Sequence, residues 1–155
     1  MGHSTVKECL KKGLLHRAVA VLVVRSSGKL VLQQRSRHDR WQPGQWTLSS
    51  TGHVKKGERY GEAARRELFE ELGMHASPRM LSKHLLPPIS SGNLTEREWV
   101  TLYTARTDDR VRIDPIELDG VKEVSADELA GLMAAQFVTP DAAFLLRKYL
   151  DSKGQ

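Results

Sequence analysis

The chain has 155 residues, 39% of them hydrophobic and 28% charged, with a formal net charge of +5. That length suits one domain with a substantial core, and no apolar run approaches the ~18 residues needed to span a bilayer. A single cysteine, Cys9, excludes an intrachain disulfide framework, and the scattered basic residues, interleaved by only three each of Trp, Tyr and Phe, argue against nucleic acid as the main partner.

Charges precede any apolar stretch, so no secretory leader is expected, and the expected location is the cytoplasm. A single domain is expected over residues 1–155, with residues 1–14 as a peripheral polar segment. Residues 18–24 form an unbroken, valine-rich apolar run that predicts a buried strand. Ser26-Ser27-Gly28-Lys29 is turn chemistry, and a second strand is expected over residues 30–35. Residues 36–45 hold Pro43-Gly44 and read as a loop, followed by a strand over 46–51. Trp46 is expected in the core, and Trp41 is a candidate to stack on a base.

Residues 52–74 then carry an unusual concentration of charge. Glu67, Glu70 and Glu71 stand three and four residues apart, so a helix of ~3.6 residues per turn projects them from one face. Like charges at these offsets disfavour a helix by roughly 0.2–0.5 kcal/mol per pair unless something neutralises them. A hard divalent cation does so, and Mg²⁺ favours a few carboxylates together with water and phosphate oxygens. Ala64, Leu68 and Leu72 give the opposite face an apolar stripe to pack on a sheet. Gly73 suits the helix stop, Gly52 lets backbone approach an ion without a Cβ in the way, and Arg66 lies one turn from Glu62 and Glu70.

Further on, a strand is expected over residues 80–86, closed by Pro87-Pro88 and a polar loop through Asn93. Residues 96–105 alternate, with Glu98, Val100 and Leu102 on one face and Trp99, Thr101 and Tyr103 on the other. Short strands are expected at 111–113 and 121–124. Ser125-Ala126-Asp127-Glu128 has the form of a capping box, predicting a helix to about residue 135, and Thr139-Pro140 opens a last helix to about residue 150. Strands and helices mixed without regular alternation favour a mixed sheet between helices.

Written in full, Gly52, five residues, Glu58, seven residues, Arg66-Glu67-Leu68, one residue, Glu70-Glu71, one residue, Gly73-Met74 resembles the Nudix box at every specified position. The resemblance implies an α/β/α sandwich with a mixed central sheet, and a hydrolase that cleaves a small-molecule diphosphate, a nucleoside diphosphate linked to another moiety or a related organic diphosphate. Mg²⁺ or Mn²⁺ would be held by Glu67, Glu70 and Glu71 with the Gly52 carbonyl, while Glu58, Arg66 and Gly73 serve the motif's structure. Arg59 stands where a small hydroxyl residue is common, so the helix start is less well specified.

A second resemblance covers more of the chain. The segments 13–18 and 29–36, and Pro43-Gly44 before Trp46-Thr47, are similar to type 1 isopentenyl diphosphate isomerases, a branch built on the same fold. It implies a metal site at His16, His53, Glu96 and Glu98, a donor set suited to Mn²⁺ or Zn²⁺ as well as Mg²⁺, and a diphosphate-binding arginine at Arg35. The isomerase pattern is broken at three places. Its acidic cysteine falls on Thr51, its diphosphate-binding lysine on Asp39, and its aromatic facing a cationic intermediate on Asp141. Asp39 would repel a diphosphate unless Arg37 or Arg40 compensates. With the hydrolase box intact, the expectation is a metal-dependent diphosphate hydrolase, with isomerase activity, or a diphosphate sensor without turnover, as alternatives. The general base is left among Glu67, Glu98 and Glu117. Arg35, Arg37, Arg40 and Thr51 are expected at the substrate, and a homodimer is left open.

Overall fold

The computed structural model describes residues 5–116 and 118–154. In chain order the elements are α1 (Val6–Lys12), β1 (Leu15–Val24), β2 (Leu30–Arg35), β3 (Trp46–Thr47), β4 (Ser50–His53), α2 (Tyr60–Leu72), β5 (Arg79–Leu85), β6 (Ile89–Ser91), β7 (Leu94–Arg106), β8 (Leu118–Val124), α3 (Ala126–Ala134) and α4 (Pro140–Lys153). The axis of the sheet is β1, which pairs in parallel with β7 along its whole length, Leu15 against Arg97 through Val24 against Arg106. Its other edge is shared between two antiparallel partners, β4 against residues 18–21 and β2 against Val23 and Val24. Beyond them, β3 and β8 pair with β2, and β5 with β7.

Successive side chains of a strand point to opposite faces, and β1 is apolar on both because both are covered. Val19, Val21 and Val23 pack against Ala63, Ala64, Leu68 and Leu72 of α2. Ala18, Ala20, Leu22 and Val24 face the other way, with Leu129 of α3 and Ala142, Leu145 and Leu146 of α4. The result is the expected α/β/α sandwich around a mixed sheet. No helix among the described residues is long and apolar enough to cross a membrane.

Four local readings change. Residues 6–12 form a capped helix, in which the Thr5 hydroxyl accepts from the Glu8 N–H and the Glu8 carboxylate accepts from the Thr5 N–H, and Cys9 is buried. The strand expected over 46–51 is two short strands, because the chain leaves β2 and joins β1 across Leu48 and Ser49. The loop expected up to Asn93 contains β6, which turns at Gly92 and pairs back onto the start of β7. Residues 111–113 form no strand. The Arg112 N–H donates to the Leu72 carbonyl at 2.8 Å, while Val111 and Ile113 pack beside α2, so packing rather than pairing produces their alternation.

Ser49 fills the fork where β2 and β4 diverge along β1. Its buried hydroxyl accepts from the Val23 N–H at 2.7 Å and donates to the Val31 carbonyl. Ser49→Ala leaves both backbone groups unpaired and should lower unfolding stability by about 1–3 kcal/mol, read as a lower urea midpoint with unchanged slope. An unchanged midpoint would show that the hydroxyl does not hold the fork.

Candidate functional site

The β4 strand and the loop after it carry functional side chains to both faces of the sheet. On the α2 face, Gly52 lies directly beneath Glu67, so close that a Cβ at residue 52 would overlap the Glu67 carboxylate. The neighbouring Arg66 guanidinium donates to four groups: the Glu58 carboxylate at 2.7 and 3.1 Å, Glu67 at 2.6 Å, Glu70 at 3.2 Å and the His53 carbonyl at 3.0 Å. Glu58 also accepts from the Lys55 N–H, and Glu62 from the Arg59 N–H, which supplies the start of α2 despite Arg59. At the other end Gly73 adopts φ +65°, with Arg112 packed where a Cβ would lie.

The three box glutamates are not equivalent. Glu67 and Glu71 face each other beneath the helix, and the Gln33 amide donates to Glu71. Burial raises both carboxyls above their usual range; Arg66 opposes the shift at Glu67, while the charge of Glu67 adds to it at Glu71. Glu70 is exposed at the rim with Arg66. Glu71 reaches a cavity of about 360 Å³ that Arg35, Asp39 and Thr51 also line.

In that cavity Arg35 donates to the Asp39 carboxylate and, through Nε, to the Trp41 carbonyl at 2.7 Å. The charge of Asp39 is therefore compensated by Arg35. Arg37 instead pairs with Asp119 at 3.2 Å, and Arg40 is exposed, which corrects the expectation that either of these offsets Asp39. Glu117 lies outside the described residues.

On the opposite face, His16 of β1, His53 of β4 and Glu96 and Glu98 of β7 converge, with one ligand atom from each within 4.8 Å of the others. The pairing explains it: His16 stands opposite Glu98 and Ala18 opposite His53, so three adjacent strands present the cluster. The His16 Nδ1–H donates to the Leu14 carbonyl at 2.9 Å, directing Nε2 inward to within 2.8 Å of His53 Nε2. Burial lowers both imidazole pKa values, that of His53 to about 4 with a contribution from His16. Burial pushes Glu96 up to about 7 and Glu98 up to about 10, each carboxyl facing the other.

Beside this cluster lies a second cavity, of about 300 Å³, which shares Arg35, Asp39 and Thr51 with the first. Trp41 is buried in its wall, and Val6 and Leu10 bring α1 into its lining, so the amino-terminal segment is part of the site's enclosure. Trp46 packs against the core, as expected, with Lys122 over its ring. Asp141 also lines this cavity, and its Oδ1, sealed from solvent, has no hydrogen-bond partner among the described residues. An unpaired buried acceptor of this kind costs about 1–3 kcal/mol. Sequence reasoning missed Gln33 and the Leu14 carbonyl. A glutamine on the helix-facing side of an apolar strand was the available signal for the first; a backbone oxygen gives none.

The NUDIX domain family model matches residues 14–148. The chain belongs to the Nudix family. Among curated relatives, this Nudix chain is 33% identical over 123 residues to an isopentenyl-diphosphate Delta-isomerase of Photorhabdus laumondii, covering 79% of this chain and 70% of that one. It is 30% identical over 149 residues to an uncharacterised Nudix hydrolase of Pseudomonas aeruginosa, covering 94% and 83%. Isomerase relatives are longer, and the chain spans 60% of the one from Serratia proteamaculans. A crystal structure from Deinococcus radiodurans superimposes with a TM-score of 0.72 at 28% identity, over 86% of this chain and 82% of that one.

The buried cluster fixes a pH dependence. Carboxyls whose folded pKa exceeds the unfolded value of 4.5 keep protons that the unfolded chain has released, so stability falls as pH rises toward about 7 for Glu96 and about 10 for Glu98. His53, held at about 4, acts oppositely but only below its unfolded value of 6.5. The metal-free protein should therefore melt at progressively lower temperature between about pH 6.5 and 9, a slope reduced by Glu98→Gln and by saturating Mn²⁺. A flat profile in the metal-free wild type would contradict the arrangement.

Proposed function

We propose that this Nudix protein is a metal-dependent hydrolase of organic diphosphates, with Glu71 and Arg35 meeting its substrate in the cavity on the box side. The supporting observation is the juxtaposition of a box carboxylate, Glu71, with the Arg35 guanidinium in one space of a size that holds a diphosphate, bordered by Thr51. The donor chemistry fits a hard divalent ion: Glu67 and Glu71 are oxygen donors pressed together, and the missing Cβ of Gly52 lets the Glu67 carboxylate lie against the β4 backbone. Glu67, Glu70, Glu71 and the Gly52 carbonyl would hold Mg²⁺ or Mn²⁺. When bound, such an ion neutralises phosphate charge and acidifies water.

The chain's own residues supply the rest. Arg35 binds a phosphoryl oxygen with the guanidinium edge not committed to Asp39 and Trp41, and the Thr51 hydroxyl offers a further hydrogen bond. Gln33 and Arg66 fix the directions of Glu71 and Glu67. Glu67 accepts the proton of the water that attacks phosphorus, a role suited to a carboxylate whose basicity burial has raised. Water adds to phosphorus, the bridging P–O bond breaks, and the departing phosphate leaves toward the Arg35 side.

One observation favours isomerisation as a second reading. The His16, His53, Glu96 and Glu98 cluster offers two nitrogen and two oxygen donors, and a protonated Glu98 has a proton to give to an alkene. Against it, a threonine hydroxyl at residue 51 is a far weaker acid than the thiol that chemistry uses, and Asp141 offers no π face to a carbocation.

Glu71→Ala should lower Mg²⁺-dependent release of phosphate or nucleotide by at least about a hundredfold while the far-ultraviolet dichroism stays native. Full activity in that variant would remove the box carboxylates from the mechanism. Deuterium uptake into isopentenyl diphosphate in D₂O, lost in Glu98→Ala, would establish the second reading instead.

A further inference from the structure

The three positions at which the chain departs from the isomerase pattern, Asp39, Thr51 and Asp141, all line the cavity between the sheet and α4. Resting on the hydrolase reading, we propose that this cavity receives the organic moiety attached to the diphosphate, and that Asp141 selects a moiety bearing an O–H or N–H donor.

Asp39 is matched by Arg35, and Glu96 and Glu98 face the two histidines. Asp141 has no such partner: its Oδ1 is closed off from solvent and accepts no hydrogen bond among the described residues. An acidic residue in the first turn of a helix is common, because the helix dipole favours it. Such a residue ordinarily faces water or caps the helix, yet in α4 the Thr139 hydroxyl performs the capping, accepting from the Ala142 N–H. The Asp141 Oδ1 is left as an acceptor with no protein donor among the described residues; the residue is not one of the four histidine and glutamate candidates, although its charge helps to raise the carboxyls of Glu96 and Glu98.

Val6, Leu10, Val100 and Leu145 give the same cavity apolar lining. A ring with a hydrocarbon face and a hydroxylated or amino-bearing edge satisfies both kinds of lining, and about 300 Å³ accommodates one. A purely hydrocarbon moiety covers the apolar lining but strips the remaining water from Asp141 without replacing its hydrogen bonds, which disfavours it. Arg35, Asp39 and Thr51 border both cavities, so a diphosphate beside Glu71 and a ring beside Asp141 belong to one molecule.

The test compares ribose 5-diphosphate with cyclopentylmethyl diphosphate, rings of one size that differ in their hydroxyl groups. Steady-state hydrolysis is followed with Mg²⁺, and binding by calorimetry with Ca²⁺ in its place, using the full chain. The wild type should bind the ribose compound at least about tenfold more tightly. Asp141→Leu should erase that preference by raising KM for the ribose compound with kcat within about twofold, whereas Asp141→Asn, which keeps an acceptor oxygen, should retain most of it. Equal affinity of the wild type for the two compounds overturns the inference, as does an equal loss for both in Asp141→Leu. A tenfold or greater loss of Mn²⁺ affinity in Asp141→Leu also overturns it, by making Asp141 a metal ligand. Discrimination by binding, with no hydrolysis of either compound, supports the role of Asp141 and refutes the hydrolase reading alone.

Discussion

The arrangement depends first on the Arg66 guanidinium. It ties the box helix to the loop before it through Glu58, to its own next turn through Glu70, and to the end of β4 through the His53 carbonyl. Its contact with Glu67 presses that carboxylate onto Gly52, where only a residue without a side chain leaves room. These bonds fix the backbone between β4 and α2, and that backbone also carries the His53 ring to the opposite face. One partly buried cation thus sets the position of donor groups on both sides of the sheet. Its own pKa is raised by those carboxylates, so it stays charged throughout the useful pH range.

The sheet separates two kinds of chemistry that meet only at its edge. On the α2 side, oxygen donors gather around Glu67 and Glu71. On the α4 side, histidine nitrogens join two buried carboxyls. Arg35, Asp39 and Thr51, at the ends of β2 and β4 and in the loop between them, are common to the cavities on the two sides. Crowding like charges in this way carries a folding penalty that a packed core must offset, and β1, covered on both faces, supplies that core. The same strands therefore hold the hydrophobic interior and, at their ends, the polar groups.

Much of this was legible in the sequence because it is local. The spacing of Glu67, Glu70 and Glu71 set a helix face, and the unbroken run at residues 18–24 reflected a strand buried on both sides. The bracketing glycines had specific steric causes, a carboxylate over Gly52 and a left-handed backbone at Gly73. What was not legible depended on partners distant in sequence. The split between β3 and β4 follows from a change of neighbouring strand, and the alternation at 111–113 reflects packing beside α2. The helix at residues 6–12 did leave a local trace, Thr5 and Glu8 as a capping box, but its lysines outweighed that in a polarity reading. The inequality of the three glutamates was invisible too, since one helix face can hold a buried pair and an exposed rim residue at once.

The most direct measurement is the fate of solvent oxygen. A nucleoside diphosphate sugar is incubated with the protein and Mg²⁺ in H₂¹⁸O, and the products are weighed by mass spectrometry. A hydrolase that directs water at phosphorus places one ¹⁸O in a phosphoryl product, and label found only on the sugar carbon, or product formed with no label at all, contradicts the account.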